Sequence, residues 1–170
     1  MKEIITNKNN LKEEEITEVV KRVKALLIND SNEILLGYSH NTYQFPGGHV
    51  EDNETLDDTL KREIKEETGI ELKDLTYTPF LCSKGYYKDW PNEGLNRKTE
   101  IYYYIIRTNE MPNLLNIKLT EHEKDGNFRL DYISLENVEE EIAKNAEKHG
   151  DKYSIAREMQ EIFKIYKEKI

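Results

Sequence analysis

Three glutamates, Glu63, Glu66 and Glu67, crowd the run Arg62-Glu63-Ile64-Lys65-Glu66-Glu67. If that run is helical, each residue advances about 100° around the axis, and the three carboxylates share an arc of roughly 100°. Leu56, Leu60 and Ile64 form the apolar stripe of the same helix. Glu63 and Glu67 lie at its border, which directs them along the surface or into a cleft. Like charges so placed raise one another's proton affinity, and something cationic must offset that cost. Arg62 can pair with one acid, but a dense cluster of oxygen ligands suits a hard divalent cation, Mg²⁺ or Mn²⁺ before Zn²⁺. Mg²⁺ commonly completes its shell with substrate phosphate oxygens, so the chemistry indicated is that of phosphates.

A run rich in Lys and Glu is also what a solvated helix face laced with i,i+4 pairs looks like. The surroundings set this one apart. Tyr43-Gln44-Phe45-Pro46-Gly47-Gly48 interrupts regular structure, because proline lacks a donor and glycines adopt angles other residues avoid. Asp52 or Asn53 can cap a helix predicted over Glu54–Thr68, and Gly69 is suited to end it in the left-handed conformation. Glycines, cap, acids, Arg62 and terminal glycine thus fall in one loop-helix-loop unit.

Other elements must hold that unit in place. Ile16–Asn29 alternates apolar and charged residues as a strand does, Asp30-Ser31-Asn32 supplies turn chemistry, and Glu33–Tyr38 is a second strand, so the pair reads as a hairpin. Leu72–Ser83, Thr99–Arg107 and the shorter Phe128–Ile133 read as strands, with Lys84–Lys98 a long loop between the first two. A helix is predicted from Ser134 or Leu135 to about His149, where Gly150 and Asp151 give a stop and a new cap. The last helix, 150–170, carries Ile155, Met159, Ile162, Phe163, Tyr166 and Ile170 at spacings of three and four. Docking on the same domain is the ordinary use of such a stripe; a homodimer interface is the sharper one. Residues 1–15 read as a flexible segment ahead of a single domain, 16–170.

A formal charge of −9 argues against a protein that works by neutralising nucleic-acid backbones, though it says nothing of one small anion held by a local patch. Cys82 is alone, so neither an intramolecular disulfide nor a cysteine-based zinc cage can form, and a reducing cytoplasm fits. The N-terminus has no apolar h-region and no stretch approaches membrane-spanning length, so a cytoplasmic protein without membrane contact is expected.

Gly48, Glu54, Arg62, Glu63, Ile64, Glu66, Glu67, Gly69 and Ile70 fill every defined position of a pattern that resembles the Nudix box, and Phe45-Pro46-Gly47 is similar to what commonly leads into it. The resemblance extends from about Val19 to Lys148. It implies an α/β (α+β) fold, an α/β/α sandwich with a mixed sheet, here with an extra C-terminal helix. It also implies Mg²⁺-dependent hydrolysis of a nucleoside diphosphate linked to another moiety, with Mn²⁺ as a possible substitute. Glu63, Glu66 and Glu67 resemble the metal ligands, with the Gly47 carbonyl a further one. Arg62 resembles the residue that orients the acids. Gly48, Glu54 and Gly69 resemble the structural positions. The metal would neutralise the diphosphate oxygens and activate water, and a carboxylate would accept the proton. Glu63 and Glu67 are catalytic candidates within the box. Glu121 resembles the acid some members place before a late strand; Glu123 and Asp131 compete with it.

For the substrate, Tyr86, Tyr87 and Trp90 offer flat rings for a nucleobase, and Arg97 and Lys98 offer charge for phosphates. Tyr86 and Tyr87 also stand where members acting on diadenosine polyphosphates often carry a Tyr. A dinucleoside polyphosphate or a nucleoside triphosphate is therefore the expected substrate, with nucleotide sugars in competition. His49 and His122 read as solvent-facing, and His40 as a possible substrate contact. A Nudix-like regulatory module that binds a nucleotide without turnover is the alternative, although such modules usually lose box acids. An interaction protein using Ile155–Ile170 is a third.

Overall fold

The β-branched residues Ile4, Ile5 and Thr6 belong to strand β1 (Lys2–Thr6) in the computed structural model, which describes residues 1–74 and 76–169. A strand therefore stands where a flexible segment was expected. Its partner is β5 (Leu81–Tyr87), with Ile4 opposite Ser83 in a parallel register. So short a stretch cannot announce a pairing partner so distant in sequence.

The chain forms two compact units. The first comprises Met1–Ala25, Gly47–Ile64 and Glu71–Ile105. In it β5 runs antiparallel to β6 (Arg97–Arg107), Leu81 facing Tyr103 and Tyr87 facing Arg97, so parallel and antiparallel pairing coexist. The strand expected over Leu72–Ser83 begins only at Leu81, though Phe80 N–H already donates to Tyr103 O at 2.9 Å. Pro79, just before it, has no N–H to give a ladder. Leu75 lies outside the described residues. Because β5 continues to Tyr87, Tyr86 and Tyr87 are strand residues and the loop shrinks to 88–96. Strand β2 (Glu18–Ile28) and helix α1 (Leu56–Thr68) contribute their first parts here, and Val23, Leu60, Ile64, Leu81 and Tyr103 are buried.

The second unit comprises Leu26–Pro46, Lys65–Ile70 and Ile106–Ile170, of which Ile170 lies outside the described residues. The expected hairpin is present: Leu27 and Ile28 of β2 pair with Leu35 and Ile34 of β3 (Glu33–Ser39). β3 then turns through His40 and Asn41, with φ of 50° and 60°, into the unanticipated short strand β4 (Thr42–Gln44). β7 (Arg129–Ser134) pairs antiparallel with β3, Ile34 opposite Ile133. With a partner on either side, β3 reads as the continuous apolar run Ile34-Leu35-Leu36, all buried.

Between β6 and β7 lies a short helix, α2 (Glu121–Asp125), which the sequence reading did not anticipate. α3 spans Val138–His149, later than expected because Ser134 still belongs to β7. α4 spans Ile155–Lys169, and Asp151 caps it, accepting from Ala156 N–H at 2.8 Å. Its stripe is used inside the unit: Met159, Ile162, Phe163 and Tyr166 are each at most 2% exposed, Phe163 lies 5.3 Å from the Phe45 ring, and Arg107 bonds Tyr166. The ordinary use of the stripe thus prevails over the dimer interface. Among the described residues the fold is mixed α+β with four α-helices, and none of its helices is long and apolar enough to cross a membrane.

Candidate active site

In the first unit the loop before α1 runs beside β2. Val23 N–H donates to Gly48 O at 2.9 Å, Val50 N–H donates to Lys21 O at 3.0 Å, and Arg22 and His49 form the bridge between them. This approach explains both glycines. A Cβ on Gly47 would stand 2.1 Å from Val23 O, and its φ of 135° is one that side chains rarely tolerate. A Cβ on Gly48 would stand 2.3 Å from Glu63 Oε1, so the missing side chain is the space the Glu63 carboxylate fills.

The cap of α1 is neither Asp52 nor Asn53. Thr55 N–H and Oγ1 donate to Asp58 Oδ2 (3.1 and 2.6 Å), while Asp58 N–H donates to Thr55 Oγ1 (3.1 Å). This reciprocal box starts the helix after Glu54, which leaves Glu54 free of helical geometry to turn back along the first turns. There it meets Arg62: Nε donates to Oε1 at 2.6 Å and Nη2 to Oε2 at 2.9 Å. Thr59 Oγ1 donates to the same carboxylate at 2.8 Å. The guanidinium beside Glu54 is the main cause that pulls its pKa down to about 2. Arg62 also donates to Glu63 Oε1 at 2.7 Å and to His49 O at 3.0 Å. One planar guanidinium thus sets the positions of a supporting acid, a candidate ligand and the loop backbone.

The last turn of α1 belongs to the second unit. Glu67 lines a recess of about 30 Å³ with Glu123, Ser39, Gln44, Phe45 and Phe128. Such a space admits a small polar group and not a nucleotide, whose pockets span ~300–1,000 Å³. Glu66 is half-buried and its carbonyl accepts from Lys118 N–H at 2.7 Å. α1 is unbroken from Leu56 to Thr68, so the i, i+3, i+4 spacing of Glu63, Glu66 and Glu67 stands. Among the described residues, however, no three His, Cys, Asp or Glu side chains are gathered closely enough to hold a metal ion. The donors still fit a hard cation: they are all oxygens, and the Gly47 carbonyl already faces positive charge, accepting from Lys24 Nζ at 3.2 Å.

The base candidates separate. Glu121 is 86% exposed and paired with Lys124 at 2.8 Å. Glu123 caps α2, accepting from Thr120 N–H at 2.6 Å, and faces the recess beside Glu67. Asp131 is paired with Arg129 at 2.9 Å.

The residues expected to hold the base and phosphates lie in the first unit and largely engage the chain itself. Tyr86 OH donates to Glu13 at 2.5 Å, and Lys98 bonds the same carboxylate at 2.9 Å. Arg97 Nε donates to Glu18 at 2.5 Å. Tyr87 and Trp90 are about half exposed. His122 is exposed, as its sequence context suggests, and its ring stacks on His40 at 4.2 Å.

Sequence reading gave no role to Arg22, Lys24 or His49. Arg22 Nε donates to His49 Nε2 at 3.0 Å. Partial withdrawal of the ring from water, then the charges of Arg22, Lys24 and Arg97, lower the His49 pKa. The available signal was the spacing of Arg22 and Lys24 on one face of a strand leading toward the box, which reads equally as a solvated face.

A family model of the NUDIX domain matches residues 19–156. An 8-oxo-dGTP diphosphatase of Buchnera aphidicola is 39% identical over 69 residues, 41% of this chain and 45% of that protein. An RNA pyrophosphohydrolase of Pseudomonas fluorescens is 32% identical over 92 residues, 53% and 50% of the respective chains. The chain thus spans about half the length of these relatives. Among solved structures, a MutT protein from Methanosarcina mazei is 20% identical with a TM-score of 0.46, covering 71% of this chain and 80% of that one.

Proposed function

Because the chain belongs to the NUDIX family, we propose that it is a pyrophosphohydrolase acting on a nucleotide-like small molecule with Mg²⁺ as its metal. The observation that carries this is the junction of loop and helix, where Arg62 holds Glu54 and Glu63 while Gly48 leaves room for the Glu63 carboxylate. Glu63, Glu66, Glu67 and the Gly47 carbonyl would hold the cation. When bound, it supplies charge neutralisation on the diphosphate oxygens and a more acidic water.

The side chains of the protein do the rest. Arg62 fixes Glu63 by a charge-assisted bond and keeps Glu54 ionised across the physiological range. Glu123 is the proposed proton acceptor, since it faces the recess beside Glu67 whereas Glu121 points to water. A nucleoside triphosphate or dinucleoside polyphosphate is the proposed substrate. The two relatives, an 8-oxo-dGTP diphosphatase and an RNA pyrophosphohydrolase, support pyrophosphate chemistry in general.

The test is a panel of nucleotides incubated with Mg²⁺ and the whole chain, both products being weighed by mass spectrometry. Turnover that Glu67→Gln abolishes supports the proposal. Tight binding of a nucleotide with no turnover across the panel replaces it with a sensor.

A further inference from the structure

Beside the loop of the first unit, basic side chains from two strands bring their charge to one histidine. Arg22 and Lys24 point from β2, two residues apart and therefore on one face of the strand. Arg97 opens β6, and His49 follows the two glycines. His49 Nε2 accepts from the Arg22 guanidinium at 3.0 Å, so that nitrogen carries no proton and the neutral ring's N–H is on Nδ1. Arg97 commits its Nε to Glu18, and a guanidinium has five N–H donors in all. Lys24 Nζ reaches Gly47 O, the carbonyl proposed as a metal ligand. In a chain of net charge −9 this is a local concentration of positive charge and of N–H donors, set against the loop where the diphosphate is proposed to sit.

We propose that Arg22, His49 and Arg97, with Lys24 on the side of Gly47, form an anion subsite for a substrate phosphate outside the hydrolysed linkage. The inference rests on the hydrolase reading for its substrate but not for the binding itself. Planar guanidinium groups and an imidazole N–H match phosphate oxygens in geometry and charge. A substrate ending in free phosphate, a nucleoside triphosphate, satisfies them. A nucleoside diphosphate sugar, which places a neutral ring there, does not.

Two measurements test this. In EDTA, without metal, calorimetry should detect inorganic tripolyphosphate binding to the wild-type chain, weakened at least about tenfold in the Arg22→Gln, Arg97→Gln double variant. With Mg²⁺, that variant should raise KM for a nucleoside triphosphate about tenfold while kcat stays within about twofold, and leave KM, or the inhibition constant, of a nucleoside diphosphate sugar unchanged. Glu18→Gln breaks the same ion pair as Arg97→Gln but keeps the arginine; it should leave triphosphate KM unchanged or lower it. Arg22→Lys should restore part of the affinity.

Equal losses for both substrates overturn the proposal, as does tripolyphosphate binding that is absent from the wild type or indifferent to the arginines. So does a rise in triphosphate KM with Glu18→Gln. A 5′-triphosphorylated oligonucleotide that competes more tightly than the free nucleotide overturns the assignment to small molecules. If no nucleotide is hydrolysed yet tripolyphosphate binds in an arginine-dependent way, the subsite stands and the hydrolase reading falls.

Discussion

Arg62 holds Glu54 with two parallel bonds, Nε to Oε1 at 2.6 Å and Nη2 to Oε2 at 2.9 Å, across the first turns of α1. This pair makes the box helix responsive to acid. Glu54 titrates at about 2 in the folded chain against 4.5 when unpaired, so its contribution is complete above the unpaired value and is lost as pH falls through about 2. Glu54→Gln should cost about 1–3 kcal/mol at neutral pH. Urea unfolding should show the gap to wild type narrowing between the two values and closing below the lower. A gap that persists unchanged in strong acid would mean that packing, not charge, is responsible.

The two loop glycines should fail differently. In Gly47→Ala the new Cβ meets a backbone oxygen of β2 at 2.1 Å, which cannot move cheaply, and stability should drop by about 2–4 kcal/mol. In Gly48→Ala the obstacle is the end of a flexible side chain, Glu63, which can swing away. Stability should then fall by less than about 1 kcal/mol while turnover drops roughly a hundredfold. Thermal melts beside steady-state rates distinguish the two, and equal stability losses contradict this account.

Glu67→Gln should lower kcat by about two orders of magnitude or more and change stability by no more than about 1 kcal/mol. EDTA should abolish wild-type turnover and Mg²⁺ restore it. Activity that survives thorough chelation removes the metal from the scheme.

Glu123→Gln keeps the α2 capping box, since an amide oxygen can accept from Thr120 as the carboxylate does. A fall in kcat of about a hundredfold, with loss of the acidic limb of the pH–rate profile, would identify the proton acceptor. Glu121→Gln should change kcat less than about threefold, because its side chain lies in water against Lys124. The reverse order returns the role to Glu121.

Phe163 is 1% exposed and packs on Phe45. Phe163→Ala should cost about 3–5 kcal/mol in chemical denaturation. A loss under about 1 kcal/mol would show that α4 adds little to the core of its unit.

The box helix, the hairpin of β2 and β3, and the C-terminal stripe were all readable along the chain, because each depends on periodicity and on residues a few positions apart. Ile34-Leu35-Leu36 needs a buried strand wherever it goes, and Leu60 and Ile64 need a buried helix face. β1 was not readable, since Lys2–Thr6 becomes a strand only by pairing with Leu81–Gly85. The cap fell to Thr55 although Asp52 and Asn53 are good capping residues, because Asp58 stands three residues after Thr55 and completes a reciprocal pair.

By itself the sequence determined the acids, their spacing and the family to which they belong, because those are properties of order along one helix. Only the tertiary structure decided which partners they meet. That Gly47 has no room for a Cβ because Val23 O lies there, that Arg97 answers to Glu18 before any phosphate, and that Arg22 donates to His49 are contacts between distant segments. Charge and hydrogen bonding act over a few ångströms in space, whatever the separation in sequence, and only folding sets those distances.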